Sequence, residues 1–208
     1  MDVDTHPLSA AARVGGHPAL DFVNTVNWRG RVAPDDLLRS YADLVQWAQH
    51  GELVTTAMAQ ALLGPPAHDA MQAQVVLDEA RGTREVLYRL FAASEEHRPP
   101  DAADVAAFNN ALGSALAHIR LRPVRGGFEW AWGEGQGSLA VPLWPVLRAA
   151  ADLLTGPELH RIRQCADREC GWLFLDSSKN GSRRWCSMAG CGSRAKARSY
   201  YRRKQTGE

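Results

Sequence analysis

Four cysteines, Cys165, Cys170, Cys186 and Cys191, stand in the order Cys-x4-Cys-x15-Cys-x4-Cys, and the first 164 residues contain none. Two close pairs separated by the length of a hairpin suit a tetrahedral zinc ion. Each pair wraps two thiolates around one side of the metal, and the intervening segment folds back to complete an all-sulfur shell closed to water. A closed shell makes the ion structural. The competing readings are two disulfides and an iron site. Disulfides are scarce in a reducing compartment, and the sequence opens with no basic stretch followed by an apolar run, Asp2 and Asp4 standing where a secretion signal would be basic. An iron centre for electron transfer is disfavoured because arginines, not an apolar shell, rim the cysteines.

The elements that must position these thiols are read from the residues between and after them. Residues 172–175, Trp-Leu-Phe-Leu, predict one strand and residues 183–185, Arg-Arg-Trp, a second, with Asn180-Gly181 as the turn. Residues 192–204 hold good helix formers and no proline, which predicts a helix starting at the last cysteine. Knuckle, hairpin and then a helix is the treble-clef order. On that helix Arg194, Arg198 and Arg202 recur at four-residue spacing and share a face, flanked by Lys196, Arg203 and Lys204, while Arg183 and Arg184 add charge from the second strand. Residues 161–204 carry +9, whereas the rest of the chain carries −8, so the overall charge of +1 conceals a basic module on an acidic body. Such a split points to a polyanion as partner. DNA is the partner expected first, with RNA and an acidic protein surface as the other destinations of a basic finger.

Cys191-Gly-Ser-Arg194, preceded by a cysteine pair and by Trp-Leu-Phe-Leu-Asp at 172–176, resembles the CGNR zinc-finger family. Gly-Gly-His-Pro-Ala-Leu-Asp-Phe-Val-Asn-Thr-Val at 15–26 is similar to the opening of the ABATE domain that precedes this finger. The resemblance implies stress-induced transcription regulators, with the finger as DNA reader and the N-terminal domain as small-molecule sensor. Ser193 stands where the family name has Asn, which removes any hydrogen bond that an amide would make there and leaves the metal ligands untouched.

The acidic part reads as mostly helical, giving an α+β, mainly α chain with a helical N-terminal domain over 1–157 and a finger over 158–208. Helices are expected at 35–49, with Leu37, Leu38, Tyr41, Leu44, Val45 and Ala48 on one stripe, at 55–63, and at 67–93 with Met71, Val75, Leu87, Leu90 and Phe91 inward. Asp101 should cap a fourth, in which Val105, Phe108, Leu112 and Leu116 recur. Residues 119–124, 127–132 and 138–141 predict a small antiparallel sheet, followed by a helix over 145–154 and a joint at Gly156-Pro157. In the stretch 20–28, Asp21, Asn24 and Asn27 recur every three residues and on a helix would line one edge with Trp28 beside them. They are the candidates to grip a small ligand, although such residues more often cap helices or satisfy buried backbone.

No Gly-x-Ser-x-Gly elbow, Walker loop, His-Glu-x-x-His or dinucleotide fingerprint occurs, and the seven histidines are scattered. An enzyme is therefore not expected. No window approaches the roughly 18 apolar residues of a membrane span, so a cytoplasmic protein is expected, with Zn2+ as cofactor, DNA and a small-molecule effector as partners, and a homodimer as an oligomeric state to test. The alternative is an adaptor whose finger grips a protein without touching DNA.

Overall fold

The computed structural model describes residues 13–64, 70–133 and 138–206. Helix α1 (Pro18–Val23) starts on a proline at its first turn, and the His17 ring accepts the amide of Ala19. It stops at Asn24, and the chain turns into β1 (Val26–Asn27), which pairs antiparallel with β2 (Asp35–Asp36). Asp21, Asn24 and Asn27 therefore do not line one helical edge: the helix is too short to carry the spacing. Nor does a helix begin at 35. Ser40 and Asp43 form a reciprocal capping box that starts α2 (Tyr41–His50) six residues later, because a shared side-chain and backbone pair is a stronger start signal than the apolar stripe alone.

Thr55 caps α3 (Thr56–Leu63), and the long α4 (Ala70–Glu95) crosses the body. Asp101 caps α5 (Ala102–Leu116). Leu87, Leu90 and Phe91 point inward as expected, but Met71 and Val75 on the first turns of α4 and Val105 and Leu116 on α5 are exposed. The buried stripe of α4 runs through Leu77, Ala80, Arg84, Leu87 and Phe91, with Ala73 and Val76 packed against the same core, so Met71 and Val75 fall on the other side of the helix. β3 (Ile119–Val124) and β4 (Gly127–Trp132) form a two-stranded ribbon; the third strand expected at 138–141 is absent, and Val141–Leu143 makes a 3-10 turn leading into α6 (Trp144–Thr155). Pro142 and Pro145 explain this: proline lacks the ladder amide and suits a first helical turn.

The C-terminal part begins with β5 (Ile162–Gln164), whose antiparallel partner is β6 (Leu173–Leu175), not residues 183–185. The predicted hairpin is thus replaced by one enclosing the first cysteine pair. Residues 183–185 run alongside without strand pairing; the Ala166 amide donates to the Arg184 carbonyl at 2.9 Å and the Arg183 amide to the Asp176 carboxylate at 3.1 Å. The reason lies in β6. Leu173 and Leu175 face the helices, joining Leu20, Phe22, Trp47, Leu87 and Phe91 in the main core, and Phe174 faces the cysteines. Alternation along a strand sends its side chains to opposite faces, and a slip of one residue would exchange the two cores. Among the described residues no helix is long and apolar enough to cross a membrane.

Candidate metal centre and nucleic-acid interface

All four cysteines are buried, and their sulfurs lie within 4.8 Å of one another. Cys170 and Cys186 Sγ are 3.7 Å apart and Cys186 and Cys191 Sγ 3.5 Å. A disulfide requires about 2.05 Å. Tetrahedral zinc with bonds of about 2.3 Å separates its sulfurs by about 3.8 Å, the spacing seen here. The electrostatics agree. Hydrogen bonds from the Cys170 and Cys186 thiols hold Cys165 far below the usual thiol range, the same contacts push Cys170 and Cys186 far up, and burial raises Cys191. Four thiolates cannot crowd together unless a cation compensates them, so the donor set fits a divalent ion.

Three of the four ligands are placed by recognisable devices. Cys165 directly follows β5, and its amide bonds the Trp172 carbonyl at 2.8 Å; Cys170 closes the knuckle through its amide to the Asp167 carbonyl at 2.8 Å. Ser187 caps a π-turn, Met188–Gly192, that carries Cys191 and leads directly into α7 (Ser193–Thr206). The basic helix starts at the metal, as its sequence predicts. Ser193 donates its hydroxyl to the Met188 carbonyl at 3.0 Å, so this residue serves the helix start.

The predicted basic residues divide into two groups. Arg194 and Arg198 do share a face, but that face meets the knuckle: both reach the buried carboxylate of Asp167, at 3.5 and 3.1 Å. Arg194 also donates to Cys191 Sγ at 2.8 Å and lies 4.5 Å over the Trp28 ring. Arg183 is turned inward, stacking 4.3 Å over Phe174 and donating to the carbonyls of Val14, Leu175, Trp185 and Cys186. Arg184, Lys196, Arg202, Arg203 and Lys204 are exposed, and so is Arg168 on the knuckle, which spacing alone does not single out. Tyr200 and Tyr201 are also exposed, edge to face at 5.7 Å. No residue of α7 between Ser193 and Lys204 is buried, and no acid lies on it.

The four candidate ligand-binding residues separate likewise. Asp21 is buried, accepts the Gly15 amide at 2.6 Å, and burial raises its pKa to about 7. Asn24 is buried and bonds both backbone groups of Leu173, accepting its amide at 2.9 Å and donating to its carbonyl at 2.8 Å. It bolts β6 to α1. Asn27 and Trp28 instead border a cleft of about 190 Å³ beside Cys170, Cys186, Cys191 and Arg194. Trp28 has a φ of 57°, a left-handed conformation costly for a bulky side chain, and its ring is also covered by Arg31 at 3.8 Å.

The same segment seals the helical domain onto the knuckle. Arg29 and Gly30 donate their amides to the carbonyls of Cys170 and Glu169, each at 3.2 Å, and Trp172 Nε1 donates to Val26 at 2.8 Å. A Cβ on Gly30 would come within 1.9 Å of the Arg168 carbonyl oxygen, so only glycine fits. Beneath it Arg29 forks onto Glu85 and stacks 4.1 Å over Tyr88, whose hydroxyl reaches the Gly171 carbonyl at 3.0 Å. Sequence reasoning missed Asp167 in its pairing role; its one signal is being among three acids in a strongly basic stretch.

Two family models match the chain. ABATE, described as a putative stress-induced transcription regulator, matches residues 16–157, and the CGNR zinc finger matches residues 161–204. No curated protein matches. With a CGNR finger whose four cysteines are positioned to bind a metal ion, the cofactor is Zn2+.

Proposed function

Because the chain belongs to the ABATE family and ends in a CGNR zinc finger, we propose that it is a zinc-dependent DNA-binding transcription regulator and not an enzyme. Its finger contacts DNA, and its helical domain senses a small effector or joins two copies. The observation that carries the reading is α7: fourteen residues, six of them Arg or Lys, none acidic, and none of those from 193 to 204 buried. A helix with no buried residue from 193 to 204 is not held by an apolar face, and its length of about 21 Å suits a major groove. Zinc and the Arg194–Asp167 contact fix the direction in which it leaves the body, while Arg184, Lys196, Arg202, Arg203 and Lys204 supply phosphate contacts. The exposed tyrosines are placed to touch sugar or bases.

Replacing Arg184, Lys196 and Lys204 by Ala together tests this. Binding to mixed-sequence duplex should weaken at every salt concentration and the slope of log K against log salt should shallow by about three, with zinc content unchanged. Arg194 and Arg198 are unsuited to this test because their loss would disturb the metal site. A native chain that binds no duplex at low salt would instead support the adaptor reading, in which the finger grips an acidic protein.

A further inference from the structure

The β3–β4 ribbon carries its side chains in strict alternation. One face consists of the cross-strand pairs Ile119 with Trp132, Leu121 with Trp130 and Pro123 with Phe128; the other holds Arg120 with Ala131 and Arg122 with Glu129. At its base the apolar face is covered: Trp132 packs 5.9 Å from the Trp144 ring, and His118, just before the ribbon, stacks on Trp144 at 4.1 Å. Further out its one cover among the described residues is the Arg148 guanidinium, 5.1 Å from the Trp130 ring centre. Leu121, Phe128 and Trp130 are 59%, 72% and 57% exposed, and no third strand joins either edge among the described residues. A two-stranded ribbon is marginal in water by itself, and an alternating apolar face left this exposed is a docking surface.

We propose that this ribbon is where two copies of the chain associate, the apolar faces packing across a twofold axis. The inference rests on the reading of the helical domain as a dimerising element and names its surface. Two observations select a second copy as the occupant. First, the three exposed side chains offer about 400 Å² of apolar surface, and two such faces together with their rims reach the roughly 1,000 Å² of a specific interface. Second, the surface is self-complementary. Between the ribbon and α6 lies a cleft of about 270 Å³ bordered by Ile119, Trp130, Trp132, Pro145 and Ala149. Phe128 protrudes two residues from Trp130, so each copy presents a knob beside a hole, an arrangement that closes on itself instead of propagating.

Sedimentation of the zinc-loaded full chain, without DNA, tests the proposal. The mass should approach twice 22.8 kDa at concentrations up to about 100 μM, and Phe128→Glu or Trp130→Glu should raise the dissociation constant at least about tenfold with far-UV dichroism and zinc content unchanged. Val75→Glu, on a separate exposed apolar site, should leave the dimer intact. If either glutamate variant fails to fold, Leu121→Lys gives the same readout. A native chain monomeric throughout that range, or folded ribbon variants that remain dimeric, overturns the proposal. A dimer that binds no DNA refutes the regulator reading and leaves this one standing; a monomer that binds DNA does the reverse.

Discussion

Asp21 carries a carboxylate at the centre of the packing of α1, where the Gly15 amide and the charge of Arg13 offset only part of the cost of burial. Its folded pKa of about 7 lies above the unfolded value of 3.8, so protonation accompanies folding and the associated stability is present in full below about pH 4 and lost as pH rises through 7. Asp21→Asn keeps an oxygen for the Gly15 amide and removes the titration. The variant should gain on the native chain between pH 5.5 and 8.5, by on the order of 2 kcal/mol, in denaturant melts. Arg194 is the other residue whose role differs from its sequence reading. Donating to a thiolate and stacking on Trp28, it neutralises charge in the sulfur cluster. Arg194→Ala should accelerate zinc loss to a chelator by about tenfold or more, measured with a colorimetric competitor.

Strand β6 is the element on which both cores depend. Its odd-numbered leucines fill the helical core, Phe174 backs the metal, and the Asn24 amide holds its backbone in register. Asn24→Ala would leave a buried amide and carbonyl unpaired and should cost about 2–4 kcal/mol in thermal or chemical unfolding, with the finger loosening in step. An alanine at residue 30 would collide with backbone that cannot yield, so Gly30→Ala should separate the helical domain from the knuckle, which amide exchange at 168–171 would register. Helix α7 is the opposite kind of element. Arg194 and Arg198 tie it to the body while Lys196 and Lys204 are exposed, so substitutions at Lys196 or Lys204 should change nucleic-acid affinity and leave the melting temperature within about 1 °C.

At the scale of the whole molecule, the two matched families share one hydrophobic core. Ile162, Leu173 and Leu175 belong to it as fully as Phe22 or Trp47, and residues 26–31 are laid across the knuckle. The helical domain is therefore not indifferent to the metal, contrary to what a core complete within residues 1–157 would allow. Chelating zinc, or replacing Cys186 by Ser, should lower the main unfolding transition as well as melt the finger. Calorimetry of the native chain should show one cooperative transition where independent domains would show two. A ligand held by the helices would be felt by the finger through the same shared strand, since packed cores transmit displacement as rigid units.

The sequence by itself determined the ligands of the metal, the helix that follows them, and the order and kind of most helices, because thiol spacing, caps and helical periodicity are local properties that short stretches express unaided. It could not reveal that β6 would pair with β5, that Arg183 and Arg194 would turn inward, or that Asn24 and Asp167 would hold the two parts together. Those outcomes depend on which distant segment offers a matching face or an opposite charge. The charge at 161–204 was legible as a sum; only the tertiary structure decided which arginines brace the fold and which remain at the surface, since a buried carboxylate such as Asp167 captures the cations within its reach.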